Sequence, residues 1–473
     1  MLYKPTMKRY HIFKLILILL MTLMVMPASA KKKKFPGGKQ YVFRITLVDK
    51  KGTPYSINKP EEFLSPKAIE RRKKQRCKID QTDLPLSPVY LQTIEKECGK
   101  IVSKSKWNNS VLVVTKDPAE KALWRQKMDF IKDVIRVWET PDSVNYPDER
   151  DLNELHFSDP DTIGNSPYGL AKGQIDMLGG IKLHEAGFKG DGKSIAVIDA
   201  GFQNADILPI LKNSKVRMAR NFCWPDTEDI YAESSHGMSV LSCMATNVPY
   251  TYIGTAPEAS YILLRSEYAE AEISAEEDFW CAAAEFADSI GVDIICSSLG
   301  YTEFDKGSLV NYAYKDLNGK TAQISKAASM LAQKGMIGVV SAGNSGSKVW
   351  KKINFLADGQ NILAVGAVDN KGKLATFSSV GNSADGRIKP DVVAQGYRTQ
   401  CLTPRNLFSA LNGTSFSAPV LCGMVACLWQ ALPNKTAYEI MDIIRKSGDR
   451  ADFPDNIYGY GLPDFWKAYN ANK

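Results

Sequence analysis

The chain has 473 residues, 24% of them charged and 44% hydrophobic, and a formal net charge of +8. This is the make-up of an ordinary globular protein, long enough for two or three domains, and it excludes a disordered or fibrous chain. Four of the positive charges sit together at Lys31 to Lys34, and no basic patch with interleaved aromatics recurs, which argues against nucleic-acid binding.

The N-terminus carries Lys4, Lys8, Arg9 and Lys14, then an apolar run from Leu15 to Met26, then Pro27-Ala28-Ser29-Ala30. A basic start, a short apolar core and an A-x-A end form a secretory signal peptide over 1–30, cleaved after Ala30. The alternative is a membrane anchor, but the run falls short of the roughly 20 residues needed to span a bilayer. No later stretch is long and apolar enough to span. The expected address is therefore outside the cytoplasm: periplasm, cell surface or medium. Nine cysteines follow, an odd number with no CxxC and no Cys/His metal spacing. Several stand in apolar contexts, such as Ile294-Ile295-Cys296, and read as free, buried small hydrophobes.

Residues 31–38 form a basic linker containing Pro and Gly. Tyr41 to Val48 alternates as a strand should. Residues 60–76 are charged and helix-like, with six basic residues between Lys67 and Arg76. Ser110 to Thr115 reads as a strand, Ala119 to Phe130 as a helix and Val134 to Trp138 as a last strand. Together with the linker these make a small α+β domain over 31–150. Residues 139–165 are rich in Pro, Asp, Asn and Ser without periodicity, as a hinge would be.

A larger domain follows over 165–473. Its strands are Ser194 to Ile198, Tyr261 to Leu264, Ile294 to Ser297, Met336 to Ser341 and Ile362 to Val368. They are short continuous apolar runs, the kind buried on both faces of a parallel sheet. Helices are expected at 236–247, 275–289, 321–334, 414–431 and 435–447. The alternation predicts a doubly wound, mostly parallel α/β sheet flanked by helices.

Four segments of this domain carry chemistry. Asp199 ends the run Ile195-Ala196-Val197-Ile198, at the carboxyl edge where such sheets place their sites, and is suited to orient a histidine. His236, in Ser234-Ser235-His236-Gly237, stands where a helix should begin; of the four histidines it is the strongest general-base candidate. His11 lies in the signal, His156 in the hinge and His184 in what reads as a surface helix. Asn344 follows a strand in Ser341-Ala342-Gly343-Asn344, where its amide suits an oxyanion. Ser415 lies in Asn412-Gly413-Thr414-Ser415-Phe416-Ser417-Ala418-Pro419, a tight bend before an apolar helix, with Pro419 expected in the first turn. Each segment alone also fits an ordinary cap or turn. Together they stand in the order Asp, His, Asn, Ser.

These segments resemble the subtilisin-like serine peptidase family from about Tyr168 to Ala468. Val197-Ile198-Asp199-Ala200-Gly201 is similar to its aspartate motif, His236-Gly237 to its histidine motif, Ser341 to Asn344 to its oxyanion motif, and Gly413 to Pro419 to its serine motif. Ser298-Leu299-Gly300 resembles its substrate-binding strand. Gly254 to Ala259, Phe377 to Gly381, Lys389 to Val392 and Tyr458 to Gly461 resemble connecting landmarks. Met238, Ala200, Phe416 and Ser417 depart from the usual residues, at lining positions that bear on substrate preference.

The resemblance implies a serine endopeptidase acting through Asp199, His236 and Ser415, with protein or peptide substrates and no cofactor needed for catalysis. Calcium is a common structural ion in the family, though no Asp-rich ligand loop supports it here. It also implies that residues 31–150 are a propeptide that assists folding, inhibits the site and is then cut away; the protein is expected to be a monomer. Two alternatives keep the fold: a peptide ligase or cyclase using the same acyl-enzyme, and a non-enzymatic, peptide-binding relative.

Overall fold

A computed structural model describes residues 32–117, 121–145, 165–225 and 229–473. The signal peptide and most of the hinge, including His156, lie outside the described residues. Strand β1 (Lys32–Lys34) pairs antiparallel with β6 (Ser143–Asn145) across the ends of the first domain. Between them run β2 (Tyr41–Leu47), α1 (Pro66–Lys74), α2 (Pro88–Glu97), β3 (Lys100–Ser105), β4 (Ser110–Thr115), α3 (Lys121–Lys127) and β5 (Ile131–Glu139). The four longer strands form an antiparallel sheet in the order β3-β4-β2-β5. Helix α1 starts where Ser65 accepts from the Ala68 amide at 3.1 Å, with Pro66 in its first turn. Its last turn holds Arg71, Arg72, Lys73 and Lys74, which complement the helix dipole. Helix α2 and strand β3 had no clear periodicity in the sequence, being short and carrying mixed polar residues.

The second domain is built on seven strands, all parallel: β7 (Ser194–Asp199), β8 (Lys215–Asn221), β9 (Ser260–Arg265), β10 (Ile294–Ser297), β11 (Ile337–Ser341), β12 (Leu363–Val368) and β13 (Val392–Gln395). Their order is β13-β12-β11-β10-β7-β9-β8. The five strands expected from apolar runs all form, within a residue or so at their ends. The other two carry weaker signals. Edge strand β8 is half exposed and reads KVRMARN, and β13 has four residues.

Helices α4 (His236–Ala245), α5 (Glu276–Ser289), α6 (Gln323–Met330), α7 (Thr414–Ala431) and α8 (Ala437–Lys446) pack on this sheet. One core joins α4 and α7 to one sheet face through Met238, Leu241, Val420 and Met424; the other joins α5 and α6 to the opposite face through Trp280, Ala284, Ile324 and Ala328. The expectation that no later stretch is long and apolar enough to span is corrected by α7: among the described residues it passes by length and composition, and it lies in the core. Strands β8 and β9 are added on one side of β7 and β10 to β13 on the other, so the strand order reverses there and puts the carboxyl end of β7 at the switch point where ligands bind.

Two further expectations need correction. His184 is not on a surface helix: it is 1% exposed, and its Nε2 lies 3.0 Å from the Thr255 carbonyl oxygen. The short helix Gly180–Glu185 turns this face into the core, and burial lowers the His184 pKa to about 4. Pro419 is not in the first turn either, because α7 already starts at Thr414. A proline there leaves the carbonyl four residues earlier, that of Ser415, without its helical donor. The Ser298 hydroxyl donates to that oxygen at 2.7 Å, so the helix continues. All nine cysteines are free; eight are buried and Cys77 is half-buried.

Candidate active site

Asp199 is the last residue of β7 and is fully buried. His236 is the first residue of α4 and leaves about a third of its side chain accessible. The two meet because Gly237 lets the helix approach: a Cβ at Gly237 would fall 2.4 Å from the Gly201 carbonyl oxygen and 2.7 Å from the Asp199 Cβ. His236 Nδ1 lies 2.7 Å from Asp199 Oδ1, which also accepts from the Ala200 amide at 2.8 Å. Two effects act on the imidazole. Burial lowers its pKa, and the charge and hydrogen bond of Asp199 more than offset this, leaving it above its ordinary value. The ring stands 6.0 Å from that of Phe416.

Ser415 is the second residue of α7, after the Gly413 N-cap. It therefore lies among the backbone N–H groups that a helix N-terminus leaves without internal partners. Its hydroxyl donates to the Ser298 carbonyl at 3.3 Å, while its own carbonyl accepts from Ser298 Oγ. Asn344 follows β11 and is exposed. Its Oδ1 accepts from the Thr414 amide at 2.9 Å and from Thr414 Oγ1 at 3.0 Å, and the Thr414 hydroxyl in turn accepts from the Gly343 amide at 3.1 Å. With the amide oxygen engaged on the serine helix, the NH₂ group is the end of Asn344 left to donate to a ligand. Gly343 has φ +111°, and a Cβ there would fall 2.3 Å from Asn354 Oδ1, so the bend into Asn344 requires glycine.

Ser298, Leu299 and Gly300 continue from β10 alongside this cluster. Ser298 bridges to Ser415 as described, the Leu299 carbonyl accepts from Ser341 Oγ at 3.4 Å, and the Gly300 carbonyl accepts from Asn354 Nδ2 at 3.1 Å. Asp199 and His236 thus meet at the end of β7, Ser415 meets Ser298 at the end of β10, and Asn344 meets Thr414 beside Ser415; the two groups approach one another through the ring pair of His236 and Phe416.

Three supporting residues were not singled out from the sequence. Thr414 fixes the Asn344 amide, and its only signal was a place beside Ser415 in a tight bend. Asn354 braces the Gly300 end, with no motif around it. Arg265 is 3% exposed; its Nε donates to the Ala200 carbonyl at 3.1 Å and its Nη2 pairs with Glu233 at 3.4 Å. That joins the segment after Asp199 to the segment before His236. Among the described residues no group of three or more His, Cys, Asp or Glu side chains is arranged to hold a metal ion.

A buried carboxylate behind an imidazole, a helix-start serine and a free amide donor together suit acyl transfer to a serine. The comparisons point to a serine peptidase. The model of the subtilase family, Peptidase S8, matches residues 190–461, and that of the Peptidase S8 propeptide domain of Bacteroidota matches residues 42–153. The chain belongs to the subtilase family: it is a serine endopeptidase, with a propeptide domain ahead of the peptidase domain.

Its curated relatives include subtilisin NAT of Bacillus subtilis subsp. natto, 28% identical over 297 residues, which are 62% of this chain and 68% of the relative. Subtilisin of Bacillus pumilus is 27% identical over 297 residues, covering 62% of this chain and 94% of the relative. Among solved structures, the MycP3 protease from the type VII (ESX-3) secretion system aligns with 67% of this chain and 90% of its own, at 21% identity and a TM-score of 0.48.

Proposed function

We propose that the chain is exported as a zymogen and hydrolyses peptide bonds through an acyl-enzyme on Ser415, with Asp199 and His236 completing the triad. The observation that carries this reading is the 2.7 Å contact of His236 Nδ1 with buried Asp199, set at the same sheet edge as a helix-start serine.

Ser415 Oγ leaves the Ser298 carbonyl, gives its proton to His236 Nε2 and attacks the scissile carbonyl carbon. Asp199 holds the proton on Nδ1, so that Nε2 is free to accept, and stabilises the imidazolium that results. The Asn344 amide and the Ser415 backbone N–H take the charge on the carbonyl oxygen. His236 then protonates the leaving amine, and water, deprotonated by the same imidazole, clears the ester. Ser298, Leu299 and Gly300 line the substrate path. No cofactor enters these steps. The domain limits are 1–30 for the signal, 31–150 for the prodomain and 165–473 for the peptidase, which is taken to act as a monomer outside the cytoplasm with no membrane span after signal cleavage.

The test is hydrolysis of an unfolded protein by the chain expressed from Lys31, against its Ser415→Ala variant, with intact mass following both. The wild type is expected to trim itself between about residues 140 and 170 and to cleave the substrate. Ser415→Ala is expected to do neither, with turnover lower by about 10⁶. Undiminished cleavage by the variant would overturn the assignment. An added amine nucleophile separates hydrolysis from ligation: the account expects free acid products.

A further inference from the structure

Two cysteines meet behind the histidine helix. Cys243 follows His236 on α4 by two helical turns, on the same face. Cys401 lies on β14 (Thr399–Leu402), which pairs antiparallel with β15 (Phe408–Leu411). Both side chains are fully buried, and their sulfurs stand 3.5 Å apart as free thiols.

The backbones around them are pinned. Ser239 Oγ donates to the Leu402 carbonyl at 2.7 Å, and Ser242 Oγ accepts from the Leu402 amide at 3.0 Å. These bonds hold β14 against α4 at the residue next to Cys401, so the two cysteines face each other from elements whose spacing is set. Their other contacts are weak. Cys243 Sγ donates to the Ser239 carbonyl at 3.6 Å, and Cys401 Sγ to the Thr399 carbonyl at 3.5 Å. The Ser239 carbonyl also accepts from Ser242 Oγ at 2.6 Å, so loss of the Cys243 proton leaves that oxygen paired.

A disulfide needs its sulfurs at about 2.05 Å, which leaves a gap of about 1.5 Å within reach of rotation about the two Cα–Cβ bonds. Any small apolar side chain can fill such a core. Sulfur facing sulfur across two pinned elements is what a covalent bond requires.

We propose that Cys243 and Cys401 form a disulfide as the chain folds under oxidising conditions. The oxidant is itself a disulfide, either a small molecule such as oxidised glutathione or the disulfide of a thiol oxidoreductase. One cysteine thiolate attacks it and displaces one thiol. The second thiolate attacks the mixed disulfide and displaces the other. Two S–H bonds are lost and one S–S bond forms; the two electrons cleave the oxidant's S–S bond, and the two protons end on its thiols. The step belongs to folding, because the thiolate is the nucleophile and burial pushes the Cys401 thiol well above its ordinary range once the core has closed.

The bond joins residues 158 apart in the chain. Closing a long loop removes much of the freedom of the unfolded chain. It also ties the helix that starts at His236 to the hairpin whose second strand runs into the Ser415 bend. The proposal rests on export only for the source of the oxidant. The test supplies that oxidant, so it decides whether or not the chain is exported.

The Ser415→Ala chain from Lys31 is synthesised in a cell-free mixture with oxidised and reduced glutathione, and in parallel with a phosphine reductant. The soluble product is unfolded in urea, alkylated and mapped by peptide mass without reduction. The oxidised product is expected to be lighter by about 2 Da before alkylation. It should take seven alkyl groups where the reduced chain takes nine, and yield one cross-linked peptide pair holding Cys243 and Cys401. It should also unfold at a higher urea concentration than the reduced chain. Cys401→Ala made with the same glutathione couple should show no cross-link, and Cys243→Ala serves as that control if the first variant does not fold. Nine alkylated cysteines in the soluble oxidised product overturn the proposal. So does a link from Cys243 or Cys401 to a different cysteine of the same core, such as Cys296 or Cys422.

Discussion

Asp199 holds His236 by a single carboxylate oxygen, and in the proposed mechanism that contact sets the acid limit of the reaction. His236 accepts a proton only when neutral. Burial lowers its pKa and the Asp199 charge more than restores it, so half-protonation lies above the ordinary value of 6.5. Activity should therefore fall as pH drops through a point above 6.5. Asp199→Asn removes the charge and keeps the burial; its kcat should drop about 10⁴-fold, and its acid limb should move below that of the wild type. A pH–rate profile of kcat/KM checks both, and a limb that stays in place would show that another group titrates. Asn344→Ala should lower kcat by about 10² to 10³ with KM little changed, because the donor acts on charge that develops only in the transition state. Steady-state kinetics on a short peptide reads this directly, and a change confined to KM would contradict it. These candidate residues stood out in the sequence because each sits in a short run of small residues at the end of an apolar strand or the start of a helix. Thr414 and Arg265 were not, since their roles depend on partners seventy and sixty-five residues away in the chain.

At the scale of elements, α7 shows how a local rule is broken and repaired. Pro419 leaves the Ser415 carbonyl without its helical donor, and a hydroxyl from the neighbouring strand end, that of Ser298, supplies one. Ser298→Ala should leave that buried oxygen unsatisfied and cost about 1 to 3 kcal/mol of stability. Urea unfolding of the Ser415→Ala chain with and without the change measures it; equal midpoints would mean that the bond contributes nothing. Ser298 was expected to serve substrate, and its place between β10 and α7 gives it this second task. Helix α1 shows the opposite limit of sequence reading. It holds five of the six basic residues between Lys67 and Arg76, and such charges ordinarily stay in water, yet Arg71 and Arg72 are buried. Charge alone could not reveal this, because Asp288 lies more than two hundred residues away.

At the scale of the molecule, the doubly wound sheet was readable because its central strands are buried on both faces and so appear as unbroken apolar runs, Ser194–Asp199 and Ile294–Ser297 above all. Edge strand β8 escaped notice because one side faces water and its residues alternate with charges. The α+β character of the prodomain was readable too. What a linear pattern could not give was the joint core of Trp107, Phe35 and Trp138 with the peptidase domain, which exists only once both domains are folded together. The central claim is that this assembly activates one serine. A fluorophosphonate probe, which reacts only with activated serines, tests it most directly when the adduct is mapped by peptide mass. The account predicts a single adduct on Ser415 of the self-trimmed wild type and none in His236→Ala or Ser415→Ala. An adduct on a different serine, or a trimmed wild type that takes no probe, would contradict it.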